Sequence, residues 1–132
     1  MPPKILSGVT IAVVEDNDDF RSLLVEFLRR QGARVIGCAK ASEALEAVTR
    51  DRPDVIVSDI SLPDGDGFEL LQSIRSLGSE VGDNTPAIAM SALGGTVTNQ
   101  RALAAGFRSY MGKPFTPQQL LQAIQAALRP QS

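Results

Sequence analysis

The sequence predicts an α/β domain, a doubly wound five-stranded parallel sheet with helices on both faces. Three observations predict it. Five short apolar or β-branched runs alternate with five helical patterns. They recur about every 25 residues, near the size of a strand–helix–strand unit. The first run, Val9 to Val14, is apolar on both parities, as in a strand buried on both sides. Such alternation gives a sheet covered on both faces, and we expect the strand order 2-1-3-4-5. A chain of 132 residues fits one domain. Its expected bounds are 9–128, with a lead-in at 1–8 and a tail at 129–132.

The first strand stops at an acidic cluster, Glu15-Asp16-Asn17-Asp18-Asp19. Asp18 and Asp19 read as the first-turn acids that favour a helix N-terminus. Phe20, Leu23, Leu24, Phe27 and Leu28 then mark one apolar helix face, closed by Gly32. Arg34 to Ala39 is a second strand. A weaker helix over Ser42 to Arg50 ends at Arg52-Pro53. The third strand, Asp54 to Ser58, runs into Asp59 and a turn containing Pro63, Gly65 and Gly67. Phe68, Leu71, Ile74 and Leu77 mark the third helix, and 78–85 reads as a surface loop. Pro86 to Met90 is a fourth strand ending at Ser91, with a loop opening at Gly94-Gly95. The fourth helix, Thr98 to Ala105, has the weakest periodicity in the chain. A fifth strand, Arg108 to Gly112, leads to Lys113-Pro114-Phe115. Thr116, Pro117 and Gln119 then form the start signal of a capping box for the last helix.

Composition excludes several classes of function. The chain is 43% hydrophobic and 21% charged, with formal net charge -2, so no basic surface for nucleic acid is expected. No apolar run reaches the roughly 18 residues of a membrane span, and no signal peptide is evident. These features are those of a cytoplasmic protein. Cys38 is the single cysteine, which rules out an internal disulfide and reads as a small core residue. There is no histidine, which removes histidine general bases, triads and metal ligands together.

The chemistry lies at the carboxyl ends of the strands, the edge where ligands bind in open α/β sheets. Glu15 and Asp16 follow the first strand and Asp59 the third. These strands are neighbours in the expected order, about 4.8 Å apart. Three carboxylates in one crevice repel, and a divalent cation resolves the repulsion. An all-oxygen ligand set favours Mg²⁺, with Mn²⁺ as the alternative. Asp16 and Asp59 are the expected direct ligands, the backbone carbonyl of Ser61 a further one, and Glu15 a ligand through water. Ser91 and Lys113 end the neighbouring strands on the same edge. Lys113 can balance one phosphoryl oxygen and Ser91 can donate to another while Asp59 attacks phosphorus. Asp59 needs no general base, being ionised at neutral pH.

Glu15-Asp16, Asp59 with Pro63 and Gly67, Ser91-Ala92, Tyr110 and Lys113-Pro114-Phe115 together resemble the response-regulator receiver domain of two-component signalling, the CheY-like family. The resemblance spans about Val9 to Leu128. It implies a flavodoxin-like (βα)5 fold and Mg²⁺-dependent transfer to Asp59 from the phosphohistidine of a histidine kinase or histidine phosphotransfer protein. It implies a cis bond before Pro114. It also implies a switch in which Ser91 moves toward the phosphoryl group and Tyr110 turns inward. That would repack the face of helix four, strand five and helix five for a downstream protein, with phosphorylation-dependent dimerisation as an option. Departures are mild: Glu15 stands where Asp is also common, and Ser91 where Thr is more frequent. Ser61 and Leu93 occupy positions that influence phosphoryl lifetime in the family.

Rival readings are weaker. Asp64-Gly65-Asp66-Gly67 hints at a calcium loop, but Leu62 and Ser73 stand where that loop needs acids, so it reads as a turn. A haloacid-dehalogenase-like phosphatase needs an acid where Ser61 stands. A flavin module needs a phosphate cradle where this first loop is acidic. A binding-only degenerate receiver is opposed by the intact acids, Ser91 and Lys113. No output domain follows Leu128, and Leu6-Ser7-Gly8 resembles the approach to receivers in hybrid histidine kinases. The expectation is therefore a single-domain regulator or a receiver from a larger chain.

Overall fold

A computed structural model describes residues 4–78, 84–92 and 96–129. The elements are β1 (Thr10–Val14), α1 (Asp18–Arg30), β2 (Arg34–Cys38), α2 (Ala41–Asp51), β3 (Val55–Asp59), β4 (Ser61–Leu62), β5 (Gly65–Asp66), α3 (Gly67–Arg75), β6 (Ala87–Ser91), α4 (Thr96–Ala104), β7 (Ser109–Gly112) and α5 (Pro117–Leu128). Five strands form one parallel sheet in the order β2-β1-β3-β6-β7. Counting only these strands, that is the expected 2-1-3-4-5. The β4–β5 pair is a two-residue antiparallel ladder inside the loop after Asp59, which the sequence reading did not foresee.

Strand parity sorts the interior into two cores. Ile11, Val13, Val55, Val57, Ile88 and Met90 face α1 and α5, where Leu24, Leu28, Leu120, Leu121 and Ile124 meet them. Ala12, Val14, Ile56, Ala87 and Ala89 face the other way, toward Ala44, Ala47 and Val48 of α2, Leu70, Leu71 and Ile74 of α3, and Ala102 of α4. Every residue of β3 and β6 is buried, as expected of central strands covered on both faces.

Local signals set most helix ends. Asn17 Oδ1 accepts from Phe20 N at 2.8 Å and caps α1, with Asp18 and Asp19 in its first turn. The Thr116–Gln119 capping box is present in both directions, at 3.1 and 2.8 Å, with Pro117 opening α5. Gly32, at φ 101°, turns the chain after α1. Arg52 does the same after α2 in the left-handed region, at φ 46°, just before Pro53.

Some expectations shift. Leu23 fits the apolar stripe of α1 but is 64% exposed, and Leu77 lies beyond the end of α3. Both are sites where an apolar residue fits the helical period without facing the sheet. The fourth helix begins at Thr96, two residues ahead of the sequence reading, and the fourth strand includes Ser91. Gly94, Gly95 and most of the 78–85 loop lie outside the described residues. Of the expected lead-in, Leu6 is buried in the first core and its N–H donates to the Gln31 carbonyl at 2.8 Å. Among the described residues no helix is long and apolar enough to cross a membrane.

Cys38 is buried at the end of β2, and burial first, then the nearby Glu43 carboxylate, pushes its thiol from 9.0 up to about 11. The unfolded chain therefore releases this proton first as pH rises. The thiol's contribution to stability is full below about pH 9 and is lost as pH climbs toward about 11. Urea unfolding at stepped pH should show that decline, and Cys38→Ala should flatten it by about 2–3 kcal/mol across the window. Equal slopes in the two chains would contradict the burial.

Candidate phosphoacceptor and cation site

Asp59 is the last residue of β3, and its neighbours on the sheet are β1 and β6. Its main chain is paired in register with Met90, and Ile60 N continues the ladder to the Met90 carbonyl at 2.9 Å. The Ser58 hydroxyl donates to the Asp59 carbonyl at 2.9 Å. The Asp59 side chain is thus delivered by a fully buried central strand of the sheet. On β1, Glu15 N donates to the Cys38 carbonyl at 2.9 Å, so the ladder runs one residue past Val14 before releasing Asp16. Glu15 and Asp59 are buried and Asp16 is exposed.

Carboxylate oxygens of Glu15, Asp16 and Asp59 all lie within 4.8 Å of one another. Lys113 meets two of them. Its Nζ donates to Asp59 Oδ2 at 2.7 Å and to Glu15 Oε1 at 2.6 Å. The ladder again makes this possible: Lys113 N donates to the Ser91 carbonyl at 2.8 Å, carrying the β6–β7 pairing one residue beyond β7. The Lys113–Pro114 bond is cis, as the resemblance implied. The Phe20 ring lies 4.9 Å from Nζ and meets Phe115 edge-on at 5.7 Å, so an aromatic wall backs the ammonium.

The charges are tuned by this geometry. Burial pushes the Glu15 carboxyl above the usual range, against the opposing pull of Lys113 and of the Asn17 N–H, which donates to Oε2 at 3.0 Å. Burial would lower Lys113, but hydrogen bonds to Asp59 and Glu15 outweigh it and hold the ammonium above its ordinary value. One cation facing three carboxylates leaves an acidic, oxygen-only cluster suited to a hard divalent ion. The residues present fit such an ion: one ammonium cannot neutralise the set, and the exposed Asp16 marks its open side.

Of the other site residues expected from the sequence, Ser61 lies at the start of β4 and its N–H donates to Asp59 Oδ1 at 3.1 Å. Ser91 is buried at the end of β6, beside the strand of Asp59. Tyr110 is half-buried on β7, paired with Ala89, and its side chain packs against the second core. Leu93 lies outside the described residues. Sequence reasoning did not pair Glu15 with Lys113 and did not find Phe20. Both depend on contacts 98 and 93 positions apart in sequence (113 − 15 and 113 − 20), for which no local pattern exists.

Gly67 lies against the main chain of Asp59 and Ile60. A Cβ there would meet the Asp59 carbonyl oxygen at 2.8 Å and the Ile60 Cα at 3.0 Å, and both are backbone atoms. The Gly67 N–H donates to the Ile60 carbonyl at 2.7 Å, so the approach is already fixed. Gly67→Ala should cost about 1–3 kcal/mol by overpacking. It should also weaken Mn²⁺ binding, because the forced shift is in the main chain of Asp59. Thermal melts and a Mn²⁺ titration check both; a variant matching the parent in each would contradict the contact.

Comparisons with known proteins agree with this geometry. Residues 11–125 match the response regulator receiver domain family. An uncharacterised 14.6 kDa protein of Leptolyngbya boryana is 39% identical over 91% of this chain and 90% of its own length. The transcriptional regulatory protein GltR of Pseudomonas aeruginosa is 32% identical over 93% of this chain, which spans only 50% of GltR. The chemotaxis response regulator CheY4 of Vibrio cholerae superposes with a TM-score of 0.83 at 28% identity, over 91% of this chain and 98% of that one. A receiver sheet in the expected order, acids at two adjacent strand tips and a lysine at a third are thus joined to a family match over most of the sequence, and the chain belongs to the response regulator receiver domain family.

Proposed function

We propose that Asp59 is the residue that takes the phosphoryl group, with Lys113 and Ser91 assisting and with Asp16, Asp59 and the Ser61 carbonyl holding Mg²⁺. Glu15 contributes through water. The single observation that carries this reading is Lys113 Nζ bridging Asp59 and Glu15 at 2.7 and 2.6 Å inside a three-carboxylate cluster. It supplies an ionised nucleophile and a fixed counter-charge in one place. A carboxylate oxygen of Asp59 forms a bond to phosphorus as the phosphorus–nitrogen bond of a phosphohistidine breaks, and the donor imidazole departs with the electron pair. Lys113 then balances charge on a phosphoryl oxygen and the Ser91 hydroxyl donates to another. When bound, Mg²⁺ neutralises further phosphoryl charge. The chain catalyses its own modification and is not a conventional enzyme.

A histidine kinase or histidine phosphotransfer protein is the partner class this chemistry requires, since the chain has no histidine of its own. That pairing fits a cytoplasmic location. The readout we assign to the α4–β7–α5 face, through Ser91 and Tyr110. The weakly amphipathic α4 on that face supports a surface able to shift. Its downstream target is a protein, with dimerisation as the other outcome of the same repacking.

Incubation with a small phosphodonor and Mg²⁺ should raise the intact mass by one phosphoryl group, and Asp59→Asn should abolish the gain. Lys113→Ala should slow it about a hundredfold. Labelling that survives in Asp59→Asn would move the acceptor elsewhere. Tyr110 is the sole tyrosine and the chain has no tryptophan, so near-ultraviolet dichroism reports its ring with little interference. Beryllofluoride with Mg²⁺ should change that signal; an unaltered spectrum would refute the assigned switch.

A further inference from the structure

The N-terminus of α2 is capped from outside its own segment. Its N-cap position holds Lys40, in extended conformation with no side-chain cap. A lysine offers no acceptor, so the first amides of α2 would stand open. Asp64 fills the role: Oδ1 accepts from Ala41 N at 2.8 Å and Oδ2 from Ser42 N at 3.1 Å. The Ala41 amide first, with those of Ser42 and Asp64 itself, holds its carboxyl below the usual range against a desolvation that would raise it.

Asp64 sits at the tip of the loop that follows Asp59. Ile60 and Leu62 of this loop pack on the second core, and among the described residues carboxylates attach it at three further places. Ser61 N donates to Asp59 Oδ1 at 3.1 Å at its base. Asp66 Oδ1 accepts from Glu69 N at 2.8 Å and caps α3 at its foot. Asp64 ties the tip to α2. Between them runs the two-residue β4–β5 ladder, which has little stability of its own. The tip attachment therefore helps to set where the rest of the loop, Ser61 included, comes to lie.

We propose that Asp64 is a positioning residue for the cation and phosphoryl site, capping α2 from the loop after Asp59 and so fixing the placement of Ser61. This rests on the functional reading above for the role of Ser61. A carboxylate that belongs to no ligand set thereby couples α2 to the phosphoacceptor loop.

The test uses the whole chain and Mn²⁺ binding followed by electron paramagnetic resonance, with phosphodonor labelling beside it. Asp64→Ala should weaken Mn²⁺ binding by about tenfold, the scale seen when groups supporting a metal site are removed. Asp64→Asn keeps one acceptor and should fall between. Adding Lys40→Ser to Asp64→Ala gives α2 a local cap. It should restore the melting temperature and leave Mn²⁺ binding weak, which a purely structural role would not do. Unchanged Mn²⁺ binding in Asp64→Ala, equal loss in the Asn and Ala variants, or recovery of binding in the double variant would each overturn the proposal. Failure of the parent chain to label at Asp59 would sink the functional reading instead, with the Mn²⁺ titrations still judging Asp64.

Discussion

Like charges gathered at neighbouring strand tips impose the constraint on which this molecule turns. Glu15 and Asp59 are buried, and Asp16 stands at their open side. An uncompensated buried carboxylate is costly, so a cation must be built into the fold. Lys113 supplies it, from a strand that enters the sheet two places away from β3. Its reach depends on β6 lying between, and on the main-chain bond from Lys113 to Ser91 that extends the ladder. Strand order and charge balance are thus one requirement seen from two sides. A sheet in another order would strand the ammonium and leave both acids unpaired.

The aromatic wall adds direction to this balance. Phe20 on α1 and Phe115 after the cis bond meet edge-on, and the face of Phe20 lies near the Lys113 ammonium. A long lysine side chain has many rotamers, and holding one of them costs entropy. Packing against a ring removes alternatives while leaving the donor free to serve two carboxylates. α1 therefore does more than cover the sheet: its first turn carries Asn17, whose side chain caps the helix and whose N–H holds Glu15.

What could be read from the sequence was what local pattern encodes. The β-branched run ending at Asp59, the acids ending at Asp16 and the strand ending before Lys113 each announce a strand tip, and topology then brings them together. The Thr116–Gln119 box and the stop at Gly32 are equally local. The positions missed or misplaced were those where pattern and environment part. Leu23 fits the helical period but faces outward, because only a stripe of α1 touches the sheet. Asp64 and Asp66 look alike in sequence, yet one caps a distant helix and the other the helix it adjoins. No spacing rule separates them. The pairing of Glu15 with Lys113 was hidden for the same reason, being fixed by tertiary approach and not by neighbours in the chain.

β6 reads Ala-Ile-Ala-Met-Ser, small residues toward one core and large ones toward the other. The alanines share a core with side chains of α2, α3 and α4, while the isoleucine and methionine share the other with side chains of α1 and α5. Sliding this strand by a single residue would drive two bulky side chains into the core now lined by its alanines and open a void in the other. Side-chain volume therefore acts as a proofreader of alignment, guarding the address of Ser91 beside Asp59 with atoms that take no part in the chemistry.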